Sequence, residues 1–195
     1  MPGPSFSIPA QACKFGSALR KVEGSVCSKC YALKGRYTFS SVKNAQSYRL
    51  SLIDSPDWVD IMVEAINKSA TEWFRWHDAG DLQSYEHLLQ IIEIAKRTPE
   101  VKHWLPTKEY GFLSRLLQQV REDPIPPNLN IRLSMPMIGE NPKLPPYWAE
   151  QGVTSSTVGA EFGGWHCPAY TQGGKCGECR ACWNKEIPNV DYPLH

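Results

Sequence analysis

The sequence predicts an α/β fold: a parallel-strand, TIM-barrel-like scaffold, partial or irregular, with cysteine-rich segments at both ends. Three observations predict it. Between residues 41 and 160, aromatic or branched runs alternate with amphipathic helical patterns. The first three runs begin about 29 residues apart, the length of one strand–helix unit. The flanking segments 1–40 and 161–195 are rich in Gly, Pro and Cys and show little periodicity, so they read as appendages to one domain spanning 1–195.

The elements follow in order. In "SPDWVDIMVEAINKS", Ser55 is placed as N-cap and Pro56 at the first helical position, and Val59, Met62, Val63 and Ile66 give a half-buried helical stripe. "EWFRWH" at 72–77 reads as a strand. "SYEHLLQIIEIAKR" repeats the helical spacing at Tyr85, Leu88, Leu89 and Ile92, with Pro99 just beyond its end. "VKHWLP" at 101–106 is the next strand. "YGFLSRLLQQVRE" is helical through Phe112, Leu113, Leu116, Leu117 and Val120. "NIRLSMP" at 130–136 and "VTSSTVG" at 153–159 complete the strands.

Successive strand–helix units imply parallel strands, whether closed into a partial barrel or left as an open sheet. Function in either case gathers at the carboxyl ends of the strands. The residues expected there are polar: His77, Asp78 and Asp81 of "HDAGD", then Thr107, Lys108 and Glu109, then Ser134 with Met135. His77, Asp78, Asp81 and Lys108 are the candidate catalytic residues of an adjoining pocket. A competing role for Asp78 and Asp81 is capping of the following helix, which Asp81 or Ser84 could perform.

The 21 basic and 20 acidic residues nearly cancel, which argues against a protein built to bind phosphate backbones. Lys14, Arg20, Lys21, Lys29, Lys34 and Arg36 make the first forty residues basic, and read as a solvated loop region. No run approaches the ~20 apolar residues of a membrane span, and "MPGPSFSIPAQACK" lacks the pattern of a secretory signal. A cytoplasmic location is expected, where disulfides are disfavoured, and seven cysteines is an odd number.

Four of those cysteines, Cys167, Cys176, Cys179 and Cys182, are spaced C-x8-C-x2-C-x2-C in "CPAYTQGGKCGECRACW". Structural zinc sites usually come as two separated pairs gripping one ion. Consecutive x2 steps suit a larger body, as in the cysteine run of bacterial ferredoxins. The quartet is therefore expected to bind a 4Fe-4S cluster, with zinc as the alternative. Gly173, Gly174 and Gly177 would let the backbone curl around the sulfurs, while Trp165 and Trp183 would either shield the site or pack in the core. The segment has few aliphatic residues, so metal ligation is expected to hold it in place of a packed core.

Cys13, Cys27 and Cys30 form the other group. They could hold a second cluster with one iron open, join the first, or in part pack in the core. Their C-x13-C-x2-C spacing departs from the C-x3-C-x2-C of radical S-adenosylmethionine enzymes. His77 and His166 are plausible ligands or proton carriers; His87 and His103 read as ordinary helix and strand residues.

Taken together, "VCSKCYALKGRY", "FRWHDAGDL" and "GKCGECRACW" resemble the gene-product-88 family of phage-encoded proteins, over nearly the whole chain. The resemblance implies an iron–sulfur protein on a barrel-like α/β scaffold, working in the bacterial cytoplasm. It marks Cys27, Cys30, Cys167, Cys176, Cys179 and Cys182 as metal-site candidates, with Cys13 beside them. It supplies no substrate. The expected function is electron handling with a host redox partner and without nucleic acid or membrane. The alternatives are an iron–sulfur enzyme with an open iron, acting as Lewis acid or cofactor-binding centre, and a zinc-stapled interaction or nucleic-acid-binding module.

Overall fold

The computed structural model describes residues 1–119, 124–160 and 164–194, so Val120 of the predicted helical stripe lies outside it. Among these residues, seven strands form one sheet: β1 (Ser5–Phe6), β2 (Trp73–Trp76), β3 (Lys102–Thr107), β4 (Leu129–Ser134), β5 (Thr154–Val158), β6 (Trp165–His166) and β7 (Asn189–Tyr192). Their order is β1-β2-β3-β4-β5-β7-β6, and every neighbouring pair is parallel. The sheet is open: β1 and β6 are its two edges and do not pair. The α/β class and the parallel strands stand; closure into a barrel does not occur among the described residues.

Among the described residues, six α-helices accompany the strands: α1 (Lys14–Leu19), α2 (Ser40–Leu52), α3 (Trp58–Lys68), α4 (Tyr85–Arg97), α5 (Tyr110–Gln119) and α6 (Pro146–Glu150). The helix expected from Ser55 begins later. Ser55–Asp57 form a turn closed by the Trp58 N–H on the Ser55 carbonyl, and Asp57 is the N-cap without a side-chain bond. Ser84 does cap α4, accepting the His87 N–H at 3.0 Å.

Alternation along the strands separates two faces. Phe74 and Trp76 of β2, Leu105 of β3, and Leu129, Ile131 and Leu133 of β4 enter the main core with Trp58 and Met62 of α3, Leu88 and Ile91 of α4, and Leu113 and Leu116 of α5. Between them lie Trp73, Arg75, Trp104, Asn130 and Arg132, and all but Arg75 meet the C-terminal segment. Trp183 packs edge-on against Trp73 and Trp104, with centroids at 5.6 and 5.2 Å, and its indole N–H donates to the Phe74 carbonyl. Asn130 donates to the Cys182 carbonyl at 2.9 Å.

Arg132 completes this attachment. Its guanidinium is fully buried and donates to the carbonyls of Ser155, Ala181, Asn184 and Ile187 at 2.7–3.2 Å. A buried cation needs such partners, since unsatisfied it would cost several kcal/mol. The expectation that the closing segment has no packed core is thus corrected for 181–192, where Ala181, Trp183 and Val190 are buried. Only 167–180 remains an exposed loop without such packing, and Gly173, Gly174 and Gly177 there take positive φ.

Candidate functional site

The carboxyl ends of β2, β3, β4, β5 and β7 open into a cavity of about 560 Å³, a size typical of small-molecule sites. Arg75, Pro106, Ser134, Ser156 and Tyr192 line it from the strands, and the Cys13–Ala32 region closes it from above. That closing segment is pinned to the end of β4: Val26 N–H donates to the Pro136 carbonyl, and Ile138 N–H to that of Gly24. Ser25, fully buried, shapes its turn by accepting the Ser28 N–H and donating to the Leu19 carbonyl.

All four candidate pocket residues lie on this cavity, in different roles. Asp81 is buried and saturated: it accepts the Leu82 N–H at 2.8 Å, the Thr107 hydroxyl at 2.7 Å and the Lys108 N–H at 2.9 Å. It caps no helix; it ties the loop after β2 to the loop after β3. Burial pushes its carboxyl up, against the pull of those hydrogen bonds. Asp78 accepts the Tyr37 hydroxyl on Oδ2 at 2.9 Å, and its Oδ1 is buried without a partner.

His77 sits in the left-handed region at φ 50°, unusual for a residue with a side chain. Its ring packs among Phe6, Trp76 and His87, with centroids 5.4–6.5 Å away, and neither nitrogen has a partner. Burial holds it well below the usual histidine range. Gly80 follows at φ 88°; a methyl group there would fall 2.2 Å from Ile8 Cγ1, so the loop passes Ile8 too closely for any side chain.

The seven cysteines are all free and all half-buried, and they fall into two sets. Cys13, Cys27 and Cys30 line the cavity together. Cys13 precedes α1, Cys27 lies in a 3-10 turn over Val26–Lys29, and Cys30 ends that turn. Gly16 is buried beside them: a methyl group on it would stand 3.6 Å from Cys27 Sγ and 3.9 Å from Cys13 Sγ. Burial raises the Cys13 thiol to about 12, with Asp81 and Cys30 adding to the rise. Burial also raises Cys27, opposed by the Lys108 ammonium nearby.

Cys167, Cys176, Cys179 and Cys182 form the second set, on the loop and turn that follow β6. Burial raises Cys167, with Cys176 and Cys179 as neighbouring contributors, and it raises Cys182 to about 11, with Cys167 among the smaller causes. Cys182 Sγ lies 3.2 Å from the Tyr192 hydroxyl, and Tyr192 reaches the cavity. Trp183 packs in the core and Trp165 is exposed, so neither is a simple shield. His166 is exposed and faces Asp191 at 3.4 Å. His87 and His103 are buried on α4 and β3. Among the described residues, no three or more His, Cys, Asp or Glu side chains converge as ligands of one metal ion.

The sequence reading did not single out Arg75, Arg132 or Tyr192. The signal for the two arginines was available: each interrupts an otherwise aromatic or apolar strand, in "WFRW" and "NIRLS". A cation at such a position must find partners or face a cavity.

Among the described residues, no helix is long and apolar enough to cross a membrane. No curated protein and no solved structure matches the chain. A family model does, the one described as gene product 88, over residues 1–185. That match covers strands β1 to β6, the cavity lining apart from its C-terminal residues, and both cysteine sets, and the chain belongs to the phage gene product 88 family.

Proposed function

We propose that this is an iron–sulfur protein with a redox role in the cytoplasm of the phage's bacterial host, built on a partial barrel whose inner face is covered by the C-terminal segment. Cys167, Cys176, Cys179 and Cys182 would hold a 4Fe-4S cluster. Cys13, Cys27 and Cys30 would hold a second, three-thiolate centre facing the cavity. One observation carries the reading: the seven half-buried thiols divide into a set of four on the glycine loop and the turn after it and a set of three on the cavity wall, with none dispersed in the main core.

The residues present fit such groups. Burial disfavours the thiolate at Cys13, Cys27, Cys167 and Cys182, and a bound metal would supply the compensating positive charge. Gly16 leaves beside Cys13 and Cys27 the room that a side chain would fill. A single zinc would need its four sulfurs about 2.3 Å from one point, whereas a cluster takes them further apart, and the consecutive x2 steps at Cys176, Cys179 and Cys182 suit the larger body. When bound, such a cluster would supply one-electron transfer. The chain's own part is to shape and tune. Tyr192 contacts the Cys182 sulfur, and hydrogen bonds to sulfur are a lever on potential. Lys108 places a cation beside Cys27, and Asp81 fixes the loop that carries Lys108.

The cavity favours an enzymatic form of this reading, in which the three-cysteine centre meets a small molecule while the quartet passes electrons from a host donor. Anaerobic purification with counts of iron, sulfide and zinc tests both. Two clusters predict about eight irons and eight sulfides per chain; about four would leave the quartet alone. A colourless protein with stoichiometric zinc overturns the reading.

A further inference from the structure

The cavity wall at the end of β2 carries a cation and an anion that do not meet. The Arg75 guanidinium lies over the Trp104 ring, 4.5 Å from its centroid. It donates to the Tyr31 hydroxyl and to Met1 Sδ, both at 3.3 Å, and its Nε has no partner. None of the ion pairs among the described residues includes it. Three residues on, Asp78 has one carboxylate oxygen satisfied by Tyr37 and the other, Oδ1, without a partner. Tyr31 bridges the two positions, since its hydroxyl also donates to the Asp78 carbonyl. Both residues line the cavity of about 560 Å³.

A half-buried guanidinium stacked on an aromatic ring is preorganised for a planar acceptor. Phosphate is the usual rival at the mouth of a parallel sheet, where it is held by backbone N–H groups at helix N-termini. Here four of those amides are already taken. Lys108 N–H goes to Asp81, Glu109 N–H to Thr107, His87 N–H to Ser84, and Phe15 N–H to Glu109. Asp78 and Asp81 would also repel a dianion. A carboxylate on Arg75 with an ammonium on Asp78 satisfies both orphaned groups at once.

We infer that the cavity binds a small zwitterionic amino carboxylate, its carboxylate on Arg75 and its ammonium on Asp78. This site stands on the β2 wall and does not depend on the metal reading.

Calorimetric titration of the full chain with glycine, acetate, methylammonium and inorganic phosphate tests it, with metal content measured separately. Glycine is expected to bind about tenfold or more tightly than acetate or methylammonium, as a charged hydrogen bond at each end would give. Arg75→Gln and Asp78→Asn should each weaken glycine about tenfold, Asp78→Asn leaving acetate unchanged. If Arg75→Gln does not fold, Arg75→Lys keeps the charge without the fork and should still weaken glycine. No binding of glycine, acetate binding as tightly, tighter binding of phosphate, or variants that bind like the wild type would each overturn the proposal. Glycine binding to a metal-free preparation would sustain it whatever the iron and sulfide counts show.

Discussion

Replacing Arg132 with methionine separates two explanations of what holds the C-terminal segment. The side chain is fully buried on β4 and supplies donors to four carbonyls, three of them between Ala181 and Ile187. Methionine fills much of the same volume but donates nothing, so all four carbonyls lose a charged donor, although those of Ala181 and Asn184 keep a backbone N–H. An unsatisfied buried carbonyl costs about 1–3 kcal/mol, and hydrogen bonds to a charged donor are worth about 1.5–3 kcal/mol each. Against this stands the relief of no longer burying a guanidinium, which is itself several kcal/mol. The net loss expected for Arg132→Met is about 3–5 kcal/mol, as for breaking a buried charged network. In a domain of this size each kcal/mol moves Tm by about 2–4 °C, so a fall of about 6–20 °C is expected. Thermal unfolding by circular dichroism gives that number. Hydrogen exchange should at the same time show residues 181–192 losing protection before the helices do. A Tm shift below about 2 °C, with 181–192 still protected, would refute the reasoning and return the anchoring role to metal ligation.

Cys179→Ala is the complementary case: iron bound by the quartet should fall, while 181–192 keeps its exchange protection through Arg132, Trp183 and β7; loss of protection across both halves would contradict the division. Gly80→Ala should destabilise by about 2–5 kcal/mol in urea melts, combining a left-handed backbone with overpacking against buried Ile8; a change within about 0.5 kcal/mol would show that the loop can move aside. Burial pushes His87 and His103 down to about 4, and His77 well below its usual range. A folded pKa below the unfolded value of about 6.5 means that the unfolded chain takes up the protons first. The stability these histidines contribute is therefore full above that pH and lost as pH falls toward 4. Asp81 and Glu109, raised by burial, act in the opposite sense, so the readout is the difference between wild type and His103→Gln. Removing His103 should flatten that loss by about one proton, and identical pH profiles would count against a neutral buried His103.

The scaffold was legible where side-chain periodicity is strong. The helices over 85–97 and 110–119 and the four strands beginning near 73, 102, 129 and 154 follow stripes that bury one face. Six elements escaped, α1 and α6 because five or six residues show no period, and four others for reasons of their own. Helix α2 has only Gln46 buried, so no apolar stripe marks it. Strands β1 and β6 are two residues long, too short for any pattern. In β7 the buried residues Asn189 and Asp191 are polar, paired with Ser155 and Thr157, and alternation of hydrophobicity cannot reveal a strand whose burial is met by hydrogen bonds.

From residue spacing alone came the parallel strand–helix units, the polar character of the strand ends, and the separation of the thiols into an N-terminal three and a C-terminal four. These are local quantities, set by period and by distance along the chain. Tertiary structure alone decided which of the polar residues are spent on holding loops together, as Asp81 is, and which stand unpaired on a cavity, as Arg75 and Asp78 do. It also decided that buried Arg132 on β4, and Trp183 next to Cys182 of the predicted ligand set, fasten the segment that leads into the last strand. Such outcomes depend on which groups meet across the fold after water is removed, and no count of neighbours along a chain contains that.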